Sequence, residues 1–328
     1  MIWVSLMARL AFFGTPEFSL PTLEVVARFC REQKHELVLV VSQPDQEQGR
    51  GRKLLPPPIK IYAEKLGVTV AQPRSLKKNT HDGDSFYEYF VKTKIDLAVV
   101  VAYGKIISQR LLSAAPLGFV NLHGSLLPKL RGAAPVQRAI AQGEYETGIS
   151  LMSMVLKLDA GDVFDLIKTP ILASDTSVTL FRRLSWLGAH LLYQHLDDLL
   201  HKAILAQPQG EIGLSYASML NKEEALIDFR LPGQKIAHLS RALDPWPNLY
   251  GFIAHKRVKF FDGFFIGGVP KNKQEPGTIM CLGQFLGLRT IDGIVYFQRM
   301  QVEGKTILPI SEARRGMHVN IGDRISHL

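Results

Sequence analysis

Only two cysteines, Cys30 and Cys281, occur in the 328 residues of this chain. So few thiols exclude a small disulfide-stapled scaffold and suit a reducing compartment, which points to the cytoplasm. The sequence holds no CxxC pair, HExxH, GxSxG or Walker-type glycine loop, which removes the familiar signatures of thiolate metal sites, zinc peptidases, serine hydrolases and P-loop enzymes. Its histidines lack ligand spacing, so no metal is expected. No apolar run approaches the roughly 20 residues that span a bilayer, and no membrane association is expected. The short apolar stretch at residues 2–13 has no small-residue cleavage site behind it and reads as a first strand. The turn at Gly14 lacks the full GxGxxG pattern, which disfavours a dinucleotide-dependent oxidoreductase. Internal repeats and low-complexity tracts are also missing.

What is present is the composition of a globular protein, 46% apolar and 21% charged, in a chain long enough for two domains with real cores. In the first 200 residues the hydrophobic period alternates between two and 3.6. Strands are expected at residues 10–13, 35–41, 68–71, 95–102 and 118–123, with 149–155 and 163–171 paired. Helices are expected from Pro16 to about Arg31, from Ile59, and at 85–92, 134–141 and 176–201. Residues 42–58 read as a long loop. The nearly unbroken apolar run 95–102 suits a central parallel strand covered on both faces. The pattern predicts an α/β fold, a Rossmann-like doubly wound sheet with its ligand site at the carboxyl ends of the strands.

Residues 206–217, with Pro208, Gly210 and Gly213, read as a linker. Beyond a helix at 233–243 come five short strands, at 249–255, 257–265, 277–282, 285–290 and 293–302, suggesting a small OB-like barrel. The expected division is a catalytic domain over residues 1–207 and a C-terminal barrel domain over 208–328. The formal charge is +9, and basic residues gather in 50–78 and 230–273. Those two stretches suit a surface for a phosphate backbone. Within them Arg50, Arg52 and Lys53 form a basic, glycine-interrupted loop, and Arg241, Lys256 and Arg257 are weaker candidates for the same surface. Trp246, between Pro245 and Pro247, reads as a packed turn.

The densest chemistry lies in Asn121-Leu122-His123-Gly124-Ser125-Leu126-Leu127-Pro128 and, further on, Leu158-Asp159-Ala160-Gly161-Asp162. Asn121 and His123 are two apart, so on a strand they share a face. An amide, an imidazole and a carboxylate together can stabilise a developing oxyanion and move a proton.

The segment 121–138, NLHGSLLPKLRGAAPVQR, resembles the core of the folate-dependent formyltransferases. The resemblance extends to Phe12-Phe13-Gly14-Thr15-Pro16-Glu17-Phe18, to Ser42-Gln43-Pro44-Asp45, to Val100-Val101-Ala102-Tyr103-Gly104, and late in the chain to Asp244-Pro245-Trp246-Pro247 and Pro276-Gly277-Thr278-Ile279. Nearly the whole chain is covered, and the likeness to members that act on methionyl-tRNA is closer than to their relatives. The resemblance implies formyl transfer from 10-formyltetrahydrofolate to the α-amino group of methionine on initiator tRNA. Asn121, His123 and Asp159 would be catalytic, with Asp159 orienting His123. The role of His123 stays open between oxyanion donor and general base. Ser125, Leu126, Leu127 and Pro128 would contact the folate, with 101–104 as a second wall. Arg50, Arg52 and Lys53 would meet the tRNA, and the barrel would add RNA surface. A monomer is expected. The competing readings are a related enzyme that formylates a nucleotide-sugar amine or acts on formyltetrahydrofolate itself, and an RNA-binding scaffold on a degenerate enzyme fold.

Overall fold

A computed structural model describes residues 7–48, 53–268, 274–316 and 319–326. The chain forms two compact units. The first runs to Gly132 and takes in Gly148–Thr169 and Phe181–Tyr216; the second holds Ala133–Thr147, Pro170–Leu180 and the chain from Ala217 onward.

The first unit is built on strands β1 (Arg9–Gly14), β2 (Glu36–Val41), β3 (Val70–Ala71), β4 (Leu97–Val101), β5 (Phe119–His123), β6 (Glu146–Ser153) and β7 (Val163–Pro170), which lie in the sheet order β7-β6-β5-β4-β1-β2-β3. β1 is parallel to β2 and β4, β4 is parallel to β5, and β5 meets β6 antiparallel. The chain steps outward from β1 to β2 and β3, then returns to the other side of β1 to lay down β4. That reversal puts a topological switch between β1 and β4, the usual place for a ligand crevice in an open α/β sheet. Every residue of β4 is buried, as the unbroken apolar run requires. Phe13, Phe86, Phe90, Tyr103 and Phe119 share one aromatic core, with the Phe13 and Tyr103 rings edge-to-face at 5.4 Å.

The connecting helices are α1 (Leu20–Gln33), α2 (Pro58–Lys65) and α3 (His81–Thr93), with α4 (Pro135–Gln142) and α5 (Ser177–Leu200) further on. α3 starts four residues before the expected position. The Thr80 hydroxyl accepts from the Gly83 N–H at 3.2 Å, and Asp82 and Asp84 occupy the first turn, so polar residues that read as a loop are a cap and a dipole complement. The expected loop at 42–58 contains a short hairpin, Gln46–Gln48 against Lys53–Leu55. Asp45 anchors its base, accepting from Lys60 at 2.8 Å and from Gln72 at 2.8 Å. Those hydrogen bonds, Lys60 first, hold the Asp45 carboxyl below the usual carboxylate range.

In the second unit, helix α6 (Gly233–Ala242) precedes, among the described residues, eight strands: β8 (Tyr250–Ile253), β9 (Lys256–Phe261), β10 (Phe264–Gly267), β11 (Ile279–Leu282), β12 (Leu286–Arg289), β13 (Gly293–Phe297), β14 (Arg299–Val302) and β15 (Leu308–Pro309). They form two antiparallel four-stranded sheets, β8-β9-β14-β15 and β10-β13-β12-β11. Two of the expected five strands are each broken in two. One breaks at Asp262, where φ is +56°, and the other at Gln298. Each half joins a different sheet, which is how a small OB-like barrel turns its corners. Val258, Phe260 and Met300 from one sheet and Leu288, Val295 and Phe297 from the other fill one core.

α4 and α6 meet closely, because Gly143 leaves room only for the His238 ring, which a Cβ there would approach to 2.6 Å. The Lys235 ammonium donates to the Ala141 carbonyl at 2.5 Å, satisfying one of the last carbonyls of α4. Burial first, then the Arg241 and Lys235 charges, push the His238 imidazole down to about 4. The native ring is therefore neutral where an unfolded histidine already binds a proton. Stability is fully present above pH 6.5, falls as pH drops below it, and loses no more from this residue below about pH 4. Solvent reaches the half-buried ring, so the loss is about 2 kcal/mol. His238→Gln is expected to flatten melting temperature between those limits relative to the unchanged chain. Parallel acid profiles of the two proteins would overturn this.

Candidate active site

β5 ends at His123, one strand away from the switch point, and carries Asn121 and His123 on one face. Asn121 pairs with Val100 on one side and Met152 on the other, and His123 sits opposite Ser150. Asn121 is partly exposed and His123 is buried. Among the described residues, the Asn121 side-chain amide has no hydrogen-bond partner, so it is free to donate to a ligand.

The imidazole of His123 is held from both sides. Its Nε2 lies 3.0 Å from the Leu130 carbonyl oxygen. A carbonyl only accepts, so Nε2 carries the hydrogen and donates it. Nδ1 faces the Asp159 carboxylate, 3.7 Å from Oδ2. The structure thus brings the imidazole and the carboxylate together across 36 residues of chain, and it leaves Nδ1 as the nitrogen that can take or release a proton. Asp159 Oδ2 also accepts from the Gly132 N–H at 2.8 Å, which fixes the carboxylate.

The backbone around this pair is unusual. Leu130 and Asp159 hold φ values of +56° and +47°. For a leucine this costs on the order of 1 kcal/mol, so surrounding bonds must enforce it. The Leu130 N–H donates to the Ser215 hydroxyl at 2.9 Å, and the Arg131 N–H donates to the Ser215 carbonyl at 2.9 Å.

The segment from Ser125 to Pro128 forms a turn next to His123. Ser150 clips it, donating to the Ser125 carbonyl at 2.8 Å and accepting from the Leu127 N–H at 3.1 Å. The Ser125 hydroxyl donates to the Lys129 carbonyl at 2.6 Å, and Leu127 is buried. Both side chains are therefore committed to the turn itself. Leu126 and Pro128 are partly exposed and remain able to touch a ligand.

Across the switch, the Tyr103 carbonyl accepts from the Thr15 hydroxyl at 3.0 Å and from the Gln43 amide at 2.9 Å. That sets the backbone of the 101–104 wall. Tyr103 itself is packed in the core, and burial pushes its hydroxyl up.

The basic candidates divide. Arg50 and Arg52 lie outside the described residues, while Lys53 opens the exposed second strand of the hairpin. Lys256 is exposed, and the Arg257 guanidinium sits over the Tyr250 ring at 3.8 Å. Arg241 is not a surface charge. It is 8% exposed and donates to the Asp175 carbonyl at 2.8 Å. A sequence count of charge carries no information on burial, which is why Arg241 had looked available. Trp246 is 50% exposed, not the packed residue its two flanking prolines suggest.

The residues that sequence reasoning missed are Leu130, Gly132, Ser150, Gln209 and Ser215. Three act through backbone groups or small hydroxyls, which leave no sequence signature. The other two lie in the segment that had read as a linker.

Residues 8–196 match the family model described as formyl transferase, and residues 219–318 match that of the formyl transferase C-terminal domain. The chain is 38% identical over 318 residues to the methionyl-tRNA formyltransferase of Dictyoglomus thermophilum, covering 96% of this chain and 99% of that protein. It is also 38% identical over 322 residues to the methionyl-tRNA formyltransferase of Thermus thermophilus, covering 98% of this chain and 100% of the relative. Among solved structures, the N-formyltransferase of Helicobacter canadensis in complex with folinic acid and dTDP-3-aminofucose superposes with a TM-score of 0.67 at 18% identity, over 89% of this chain and 99% of that one.

Proposed function

The chain belongs to the formyl transferase family, and from that premise we propose that it formylates the α-amino group of methionine on initiator tRNA, drawing the formyl group from 10-formyltetrahydrofolate in the cytoplasm. Full-length relatives that carry that activity in their names support the substrate. The observation that carries the chemistry is the His123–Asp159 pair, 3.7 Å apart, beside an uncommitted Asn121 amide at the carboxyl end of β5.

The amine attacks the formyl carbon, a carbon–nitrogen bond forms, and the carbonyl oxygen becomes an oxyanion. Asn121 donates its N–H to that oxygen. His123 contributes through Nδ1, because Nε2 is spent on Leu130. Protonated, Nδ1 donates to developing negative charge and can pass its proton to the departing folate N10. Asp159 balances the imidazolium and, directly or through water, takes the proton that the attacking nitrogen must lose. The bond from the formyl carbon to N10 then breaks. Leu126 and Pro128, with the 101–104 wall, offer the folate rings apolar surface. Arg50, Arg52 and Lys53 are the proposed contacts to the tRNA phosphates. A single copy of the chain suffices for this scheme.

Purified protein should formylate Met-charged initiator tRNA with 10-formyltetrahydrofolate and leave Met-charged elongator tRNA essentially untouched. Folded protein that binds folate but formylates neither tRNA would overturn the tRNA reading and turn attention to small amine acceptors.

A further inference from the structure

We infer that Gln209 is a positioning residue for the reaction centre, reaching in from the segment after the long helix α5 to hold the turn that presents Asp159. This rests on the reading of Asp159 given above.

Gln209 uses both ends of its amide. Its Nε2 donates to the Asp159 carbonyl at 2.9 Å and to the Gly161 carbonyl at 2.6 Å. Its Oε1 accepts from Arg131, from Nε at 3.0 Å and from Nη2 at 2.6 Å. Arg131 is 5% exposed and lies next to Leu130, whose carbonyl takes the His123 hydrogen. One side chain therefore bridges the loop that orients His123 and the turn that orients Asp159. The clamp closes on a sharp turn, with Asp159 at φ +47°, and its bonds to the carbonyls of Asp159 and Gly161 fix the backbone on which the carboxylate stands.

The rest of the segment is laid down the same way. Gln207 exchanges two backbone hydrogen bonds with Val163, each 2.8 Å, and Ser215 takes the Leu130 N–H. Residues 207, 209 and 215 are thus each tied to the first unit's β7, to the Asp159 turn or to the Leu130 loop. A glutamine is suited to this position because the clamp needs a donor for two carbonyls and an acceptor for a guanidinium on one short stem.

The test compares Gln209→Glu with Gln209→Ala. Glutamate keeps the volume and pairs with Arg131, but it cannot donate to the two carbonyls. Both variants are expected to keep the KM for 10-formyltetrahydrofolate and for initiator Met-tRNA while kcat falls about 10–100-fold, the cost of a catalytic group displaced by less than an ångström or so. On an Asp159→Asn background, Gln209→Glu should then cost nothing further, because there is no carboxylate left to position. A Gln209→Glu enzyme with wild-type kcat, or a loss that multiplies in full with Asp159→Asn, would overturn the clamp. Undiminished turnover by Asp159→Asn alone would instead overturn the catalytic reading of Asp159, and the clamp's purpose with it. Slow Asp159→Asn beside normal Gln209→Glu sinks the clamp only.

Discussion

His123→Ala is expected to lower kcat for formyl transfer roughly 10²–10³-fold, the usual cost of removing a proton-transfer group or an oxyanion donor. The KM for 10-formyltetrahydrofolate should change little, because the buried ring lies at the strand end and not on the partly exposed surface of Leu126 and Pro128. The variant also strands the Leu130 carbonyl, which loses its donor at 3.0 Å. An unpaired buried acceptor costs about 1–3 kcal/mol, so the melting temperature should fall by a few degrees. Asp159→Asn separates the two effects. Its side-chain oxygen can still accept from Gly132, replacing the 2.8 Å bond to the carboxylate. The fold should therefore be kept while the negative charge facing Nδ1 is lost. A comparable fall in kcat with an unchanged melting temperature is expected for that variant. Steady-state kinetics of both proteins against the unchanged enzyme decide the matter. Near wild-type turnover by His123→Ala would remove the imidazole from the mechanism.

The parts of this site that were legible in the sequence are those that depend on side-chain type and short spacing. Asn121 and His123 share a face because a strand alternates, and the apolar runs of β1, β4 and β5 placed that strand in the sheet interior. Asp159 stood out as the carboxylate that joins the amide and the imidazole. The remainder depends on chain atoms that every residue possesses. The Leu130 carbonyl fixes the His123 ring and the Gly132 N–H fixes the Asp159 carboxylate, yet neither leucine nor glycine advertises such a role. Gln209 and Ser215 sit among residues whose proline and glycine content suggested slack chain. Their partners lie 50 residues away in Asp159 and 85 residues away in Leu130, beyond the reach of local pattern. The barrel strands were legible as strands but not as bent ones. The break at Asp262 is set by the corner the backbone must turn, where a short polar side chain tolerates positive φ.

Gly161→Ala should be nearly as damaging as loss of His123, although residue 161 has no side chain to contribute. A Cβ at that position would stand 1.9 Å from the Ser153 carbonyl oxygen and 2.8 Å from its carbon. Both are backbone atoms, so no side-chain rotation relieves the clash, and the turn itself must move by more than an ångström. The Ser153 N–H is already committed to the Asp162 carbonyl at 2.8 Å, which ties β6 to the end of the same turn. The displacement therefore passes into Ala160 and Asp159, and it also pulls the Gly161 carbonyl off its 2.6 Å bond to Gln209. Overpacking of this kind costs about 1–3 kcal/mol. An ångström of misplacement in a catalytic group costs about 10²-fold in rate. The expected result is a modest drop in melting temperature together with a fall in kcat of about 10², and the Asp159→Asn background should absorb most of that fall. Wild-type kcat in Gly161→Ala would mean that the carboxylate tolerates a displaced turn, and that the rigid support described here for Asp159 does not limit the reaction.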